Sequence, residues 1–174
     1  MRHFSIHQIL LAIRASGIAL AILVVSTLPT WAEDTPSVQA SDWKAGVASV
    51  KITPEQRLHM AGYASRKEPA EGTVQDLFGK AIAIEDREGN RVVFVTLDLI
   101  GVMEELRTEV ATRVQEKYQL PSHALLMNAS HTHCGPAYGL EDAEDYFDSL
   151  ATKLVELVGQ ALAQLQPANL SYSF

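Results

Sequence analysis

The chain has few of the residues that crosslink proteins or bind polyanions. Cys134 is its only cysteine, so no disulfide can form within the chain, even in an oxidising compartment. Lysine and arginine number 14 against 21 aspartates and glutamates, and no basic stripe is visible. Because binding to nucleic-acid phosphates needs clustered cations, this acidic balance argues against a nucleic-acid partner. Internal repeats and low-complexity tracts are also missing, which argues against repeat architectures.

Long apolar runs are missing too, apart from one near the start. Even taken from residue 15 to residue 28, that run is shorter than the ~18–20 residues that a membrane-spanning helix needs. Thr30-Trp31-Ala32 follows it, with small residues at the positions that a signal peptidase recognises. We therefore predict that residues 1–32 are a cleaved secretory signal peptide, with a retained membrane anchor as the alternative. The mature protein is then expected to be secreted or periplasmic.

The rest of the chain has the size of one domain. Residues 33–42 are polar and predict a flexible linker, which leaves residues 43–174 for a single modest core. Hydrophobic patterning predicts the order strand, β-hairpin, helix, strand, helix, strand. The predicted bounds are 46–52, 77–85 with 91–97, 103–118, 124–127, 145–165 and 170–174. Because strands separated by helices favour parallel neighbours, the predicted fold class is α/β, a mixed and partly parallel β-sheet flanked by helices.

Two histidines directly follow the strand predicted at residues 124–127. His131 and His133 stand at its carboxyl end, where open α/β sheets bind their ligands. If the segment stays extended, alternation sends both imidazoles to one side of the chain and Thr132 to the other. Neutral imidazole is a common zinc ligand, so the pair can supply one ligand and one acid–base or oxyanion-stabilising group. The alternative is that both rings simply bond to nearby carbonyls.

Other motifs surround the histidines in a characteristic order. They are Thr53-Pro54 at the end of the first strand, Gly62-Tyr63, Gly79 to Asp86 (GKAIAIED), Val95 to Gly101 (VTLDLIG) and Ser130-His131-Thr132-His133. Each motif is weak alone. Their order and spacing, however, make the chain from Trp43 to Phe174 resemble the amino-terminal part of the neutral/alkaline, non-lysosomal ceramidase family.

The resemblance implies a secreted, zinc-dependent amidohydrolase that cleaves the N-acyl amide of ceramide or a related lipid amide, with peripheral contact to a membrane. His131 matches a zinc ligand of the family, and His133 matches a catalytic histidine that acts beside the metal. The family's other ligands, a second histidine, a glutamate and a tyrosine, lie in sequence that this chain does not have. Because catalytic zinc needs about three protein ligands, we expect an inactive fragment, with a natural short paralogue as the alternative.

Several further positions are candidates for roles near the histidines. Asp98 ends a predicted strand beside them, where it either orients a histidine or, as we favour, caps the next turn through backbone hydrogen bonds. Gly62-Tyr63 lies in the long surface loop predicted at residues 54–76 and lines the substrate entrance, unless Tyr63 is an ordinary packed aromatic. Cys134 stands where the family commonly has serine, and a cysteine there could ligate metal or act as a nucleophile. Because no third member of a nucleophilic arrangement is visible, we favour a small buried side chain. His59 and His123 have no motif around them.

Two other functions are compatible with the sequence. His-x-His at a strand end also begins amidohydrolase barrels, but those need about 250 residues and place the histidines on the first strand. The non-enzymatic alternative is a secreted domain of the same fold that binds a lipid or glycan without turnover. Residues 54–76 are not strongly apolar, although ceramide calls for an apolar cleft, so the substrate stays open.

Overall fold

The computed structural model describes residues 42–171, which form one β-sheet and two long helices. The predicted signal peptide, nearly all of the predicted linker and residues 172–174 lie outside this part of the chain. The strands are β1 (Trp43–Lys51), β2 (Phe78–Glu85), β3 (Arg91–Leu97), β4 (Leu125–Ala129) and β5 (Gln166–Ala168). The helices are α1 (Glu104–Tyr118) and α2 (Glu144–Ala163), and short 3-10 turns cover Ser122–Ala124 and Glu141–Ala143.

The five strands pair in the order β4-β3-β2-β1-β5. Pairing is antiparallel throughout, except that β3 and β4 run parallel, connected through α1. The predicted hairpin is present between β2 and β3. Its turn uses Gly89 in the left-handed region at φ 86°, and the Asp86 carboxylate accepts hydrogen bonds from the backbone N–H groups of Glu88 and Asn90. The predicted mixed, partly parallel α/β sheet is therefore confirmed.

The helices cover one face of the sheet because alternate strand residues there are small or apolar. Ala81 and Ala83 of β2 and Val93, Val95 and Leu97 of β3 are buried in the same core as the apolar side of α2. Close approach of β1 to the end of α2 requires glycine at position 46. A Cβ atom there would fall 2.1 Å from the Ala161 carbonyl oxygen, so any larger residue would push the layers apart.

The opposite face of the sheet is open within residues 42–171. Val47, Ile82, Phe94 and Leu126 are paired neighbours on four adjacent strands, and they keep 60%, 38%, 39% and 49% of their surface exposed. Neither helix in this part of the chain is long and apolar enough to cross a membrane.

The last predicted strand is wrong in position. Leu170 and Ser171 are not in a strand, whereas Gln166–Ala168 pairs with β1 as an edge strand. Helix α2 accordingly ends at Ala163, two residues before the predicted end. Pro167 explains both findings, because proline cannot continue a helix but is tolerated on an edge strand that does not need its missing N–H. The other predicted elements are present, and none of their ends is shifted by more than three residues.

Candidate active site

The carboxyl ends of β3 and β4 lie side by side, because these two strands pair in parallel. Hydrogen bonds continue past both strand ends, from the Ser130 N–H to the Leu97 carbonyl at 2.9 Å and from the Thr132 N–H to the Leu99 carbonyl at 3.1 Å. The segment that follows β4 and contains the two histidines is therefore laid against the segment that follows β3. Both belong to the edge of the sheet at which parallel strands end.

The histidine segment does not stay extended, because His131 is in the left-handed region at φ 61°. Histidine is one of the few non-glycine types enriched there. The backbone turn brings the exposed His131 ring to the carbonyl oxygen of Ile100, which lies 2.7 Å from Nδ1. A carbonyl only accepts hydrogen bonds, so Nδ1 carries the proton and the lone pair of the neutral ring is on Nε2. This is the usual arrangement of a metal-ligating histidine.

Among the described residues, His133 is held by packing rather than by a ring hydrogen bond. Its ring centroid lies 5.2 Å from that of His131 and 4.7 Å from that of Tyr63, edge to face in both cases. Gly62, at φ 101°, lies against the same imidazole, and a Cβ atom at this position would come within 2.4 Å of His133 Cγ. Only glycine combines this backbone angle with so close an approach. The two imidazoles therefore form one cluster, although they are not on one side of an extended strand.

The long predicted loop reaches the histidines through backbone pairing. Met60 forms an isolated β-bridge with Pro136, the Ala61 N–H donates to the Gly135 carbonyl at 3.0 Å, and the Ala137 N–H donates to the His59 carbonyl at 2.8 Å. These bonds place Gly62-Tyr63 beside His133, with 55% of Tyr63 exposed. Tyr63 is therefore both a partner of the histidine and accessible to solvent. Its role at a substrate entrance stays a prediction.

Arg66 joins the loop to the histidine segment, and sequence reasoning missed it. Its Nη1 donates to the carbonyl oxygens of Ala61, at 3.1 Å, and of His133. The guanidinium carbon also lies 4.8 Å from the centroid of the Tyr63 ring. No periodic pattern marks Arg66 in the sequence. Its position three residues after Tyr63, within a loop already singled out, was the only available signal.

Asp98 and Cys134 both differ from expectation. The Asp98 carboxylate accepts a hydrogen bond from the Phe78 N–H on the neighbouring strand at 2.9 Å, so it binds backbone across the sheet rather than capping the next turn. Among residues 42–171 it bonds to neither histidine. Cys134 is exposed rather than buried, because the turn after His133 carries it to the surface, where its N–H donates to the Thr132 hydroxyl at 3.2 Å.

Tyr138 supports the strand-end segment on which His131 depends. Its buried hydroxyl donates to the Gly101 carbonyl at 2.8 Å and accepts from the Met103 N–H at 3.0 Å. Burial raises the pKa of Tyr138, so the hydroxyl stays protonated as a donor. These bonds fix the chain directly after Ile100, whose carbonyl orients His131. Tyr138 was not predicted, because a buried tyrosine after a histidine motif looks like any packed aromatic.

His59 is also less isolated than its sequence context indicates. Its Nδ1 lies 2.7 Å from a carboxylate oxygen of Asp142, at the start of the segment that leads into α2. The hydrogen bond to Asp142, aided by the negative charge of that carboxylate, raises the pKa of His59 despite some desolvation. His123 is exposed in the turn before β4 and remains outside the site.

The side chains near His131 can be compared with those that a zinc ion needs. His131 provides one imidazole with its Nδ1 proton engaged by a carbonyl, as zinc ligands require. Within residues 42–171, no three or more histidine, cysteine, aspartate or glutamate side chains are grouped so as to hold a metal. Since a catalytic zinc takes about three protein ligands, this part of the chain does not hold a complete site.

Comparisons with known proteins agree with the motifs. Residues 43–172 match the family model described as neutral/alkaline non-lysosomal ceramidase, N-terminal. The chain is 27% identical to the neutral ceramidase of Pseudomonas aeruginosa over 165 residues, which cover 87% of this chain and 24% of that protein. It is 33% identical to the neutral ceramidase of Drosophila melanogaster over 100 residues, which cover 56% of this chain and 14% of that protein.

A solved structure shows the same relationship. The crystal structure of the Pseudomonas aeruginosa neutral ceramidase matches with a TM-score of 0.65 at 26% identity, over 74% of this chain and 23% of that one. The chain thus spans about a quarter of the length, or less, of the relatives it matches. On these grounds it belongs to the neutral/alkaline non-lysosomal ceramidase family, whose N-terminal domain it contains.

Proposed function

We propose that this chain is the amino-terminal part of a secreted, zinc-dependent amidohydrolase that cleaves the N-acyl amide of ceramide or a related lipid amide. Family membership supports the hydrolase class. The main support for zinc binding is the hydrogen bond from His131 Nδ1 to the Ile100 carbonyl oxygen. Because the proton is on Nδ1, the lone pair of Nε2 is left to bind a metal at the edge of the sheet. The complementary ligands are not grouped with it among residues 42–171.

The two histidines have different roles in this proposal. His131 is the metal ligand, and zinc, when bound, would supply a Lewis acid and a water of lowered pKa. His133 is the catalytic residue, whose ring lies 5.2 Å from that of His131 and so reaches a substrate amide held beside the first imidazole. A ring N–H at this position can donate to the oxyanion that develops on the amide carbonyl. Tyr63 and Gly62 shield one side of that ring from water.

Substrate and location follow from the same proposal. A lipid amide reaches the enzyme from a bilayer, so the proposal includes peripheral contact with a membrane. The secreted or periplasmic location rests on the signal peptide predicted at residues 1–32. The acidic composition argues against a nucleic-acid partner. The exposed Tyr63 ring provides an amphipathic contact where a substrate would meet the histidines.

The test uses the protein purified from its native source, with its length established by intact mass. His131→Ala is expected to lower bound zinc and abolish hydrolysis of a fluorogenic N-acyl sphingosine. His133→Ala is expected to retain most of the zinc and to lose ~100–1000-fold in turnover, the cost of one transition-state donor. His123→Ala, an exposed histidine outside the site, is the matched control and should change neither. Unchanged zinc and unchanged hydrolysis in both site variants would show that the pair is structural.

The incomplete donor set favours one other function, a secreted domain that binds a lipid or glycan without turnover. Zinc analysis of the purified protein after dialysis against a weak chelator separates the two proposals. Stoichiometric zinc supports the hydrolase, whereas no zinc, with retained binding to lipid vesicles or glycans, supports the binding domain. The 174-residue chain tested alone is expected to hydrolyse no amide, because its described part supplies a single histidine ligand.

A further inference from the structure

We propose that Arg66 is a positioning residue that holds Tyr63 and His133 in their working geometry. The proposal rests on the proposed function, because it concerns the same histidine pair. One guanidinium joins three elements of the site: it donates to the Ala61 and His133 carbonyls and lies over the Tyr63 ring. The Arg66 N–H also donates to the Tyr63 carbonyl at 3.1 Å, which closes the turn between the two residues.

The chemistry of the side chain fits this task. Arginine combines several N–H donors with a flat, weakly hydrated face, so it can bind carbonyls and stack on an aromatic ring at once. A guanidinium within about 6 Å of a tyrosine ring is attracted to its π-face, and here the distance to the centroid is 4.8 Å. Lysine offers donors without the flat face, and glutamine offers neither the charge nor the reach.

The consequence concerns the imidazole of His133, which makes no ring hydrogen bond within residues 42–171. Its orientation depends on contacts with Gly62, Tyr63 and the ring of His131. Arg66 fixes one of these contacts, because its guanidinium lies over the Tyr63 ring, and it also binds the backbone carbonyl of His133 itself. Without the guanidinium, the loop keeps its backbone bonds to Gly135 but loses the contact that holds the Tyr63 ring against the imidazole.

NMR on the full 174-residue chain tests this directly. Tyr63 and His133 ring protons are expected to show NOEs, because their ring centroids lie 4.7 Å apart. Arg66→Gln is expected to abolish these NOEs while core methyl resonances stay in place. Arg57→Gln makes the same change at an exposed arginine of the same loop and should leave them intact. Retention of the Tyr63–His133 NOEs in Arg66→Gln would overturn the proposal.

If Arg66→Gln also disturbs the core, Arg66→Lys is the variant that tests whether Arg66 positions Tyr63 and His133. It keeps the charge and a donor for the carbonyls but loses the stacking face, so weaker NOEs support the positioning role and unchanged NOEs refute it.

Activity provides an independent readout in the full-length protein. Arg66→Gln is expected to reduce kcat by about 10- to 100-fold with KM little changed, because a small displacement of a catalytic group acts on the chemical step. An unaltered kcat would contradict the proposal. If the unmodified protein hydrolyses no amide, the proposed function fails, whereas the NOE comparison still decides whether Arg66 positions the histidine.

Discussion

The helix-covered side of the sheet and the histidine end of the molecule are held together by different interactions. Between α2 and the sheet, contacts are apolar and buried, with Leu150, Leu154, Leu157 and Val158 all fully inaccessible. At the histidine end, segments from three parts of the chain meet through backbone hydrogen bonds and a few polar side chains, many of them half-exposed. Stability should therefore depend mainly on the first region and the geometry of the site mainly on the second.

The largest expected effect is on the covered side. Leu154→Ala should reduce the free energy of unfolding by about 2–5 kcal/mol, because it removes a fully buried side chain and leaves a cavity. Urea denaturation followed by circular dichroism measures the loss. Leu126→Ala is the matched control on the open face, where half of the leucine surface is already exposed. A loss at Leu126 as large as that at Leu154 would contradict the contrast between the two faces.

The covered side could be predicted almost completely from the sequence. Alternation with a period of two in β2 and β3, and helical spacing from Leu150 to Ala161, fix which side chains face inward, and those patterns are local. The missed detail, β5 at Gln166–Ala168, depends on pairing with β1 more than a hundred residues away. A three-residue edge strand carries too short a pattern to be recognised without that partner.

The histidine end could be predicted only in part. The motif located His131 and His133, and the parallel pairing expected of strands separated by a helix placed them next to the segment that follows β3. Their conformations were not predictable, because the left-handed His131 backbone is stabilised by the carbonyls of Leu99 and Ile100, about thirty residues earlier. Arg66 and the bond between His59 and Asp142 come from loops without periodicity, so no pattern connects them in the sequence.

The second effect is expected at Gly62. It should change the free energy of unfolding less than Leu154→Ala does, but it should alter the geometry of the site. Gly62→Ala should cost about 1–3 kcal/mol of unfolding free energy and displace His133, because it combines φ 101° with a Cβ atom 2.4 Å from the imidazole. Denaturation gives the energy, and the His133 ring resonances report the displacement.

Substitutions at two other glycines distinguish the two causes of this effect, backbone strain and the contact of the new Cβ atom with the imidazole. Gly89→Ala carries the left-handed strain at φ 86° with open space around the new methyl group, so it should lower stability without moving His133. Gly72→Ala introduces neither strain nor contact, because the φ angle of Gly72 is not in the left-handed region and no atom lies within 4 Å of the new Cβ atom. We expect this substitution to leave stability unchanged or to raise it slightly. If Gly62→Ala leaves the His133 resonances as they are in Gly72→Ala, the close approach of the glycine does not position the ring.

The smallest expected effect is the pH dependence of the link between His59 and Asp142, at the rim of the histidine end. Hydrogen bonding to Asp142 raises the pKa of His59 above its ordinary 6.5, so protonated His59 is favoured in the folded state. The resulting contribution to stability is fully present below about pH 6.5 and is lost as the pH rises through the raised pKa. Because both side chains are well exposed, salt should weaken the effect.

Asp142→Asn tests the link, since it keeps the shape of the side chain and removes the charge. Compared with the unmodified chain, it should unfold at lower urea concentration in mildly acidic buffer, and the difference should narrow as the pH is raised above the His59 pKa. Asp148→Asn, which removes an exposed carboxylate on α2, controls for net charge and should show no such trend. A difference that stays constant across this pH range would mean that the ionisation of His59 does not couple the loop to the segment before α2. The histidine end would then be held by its backbone bonds and by Arg66 without help from this pair.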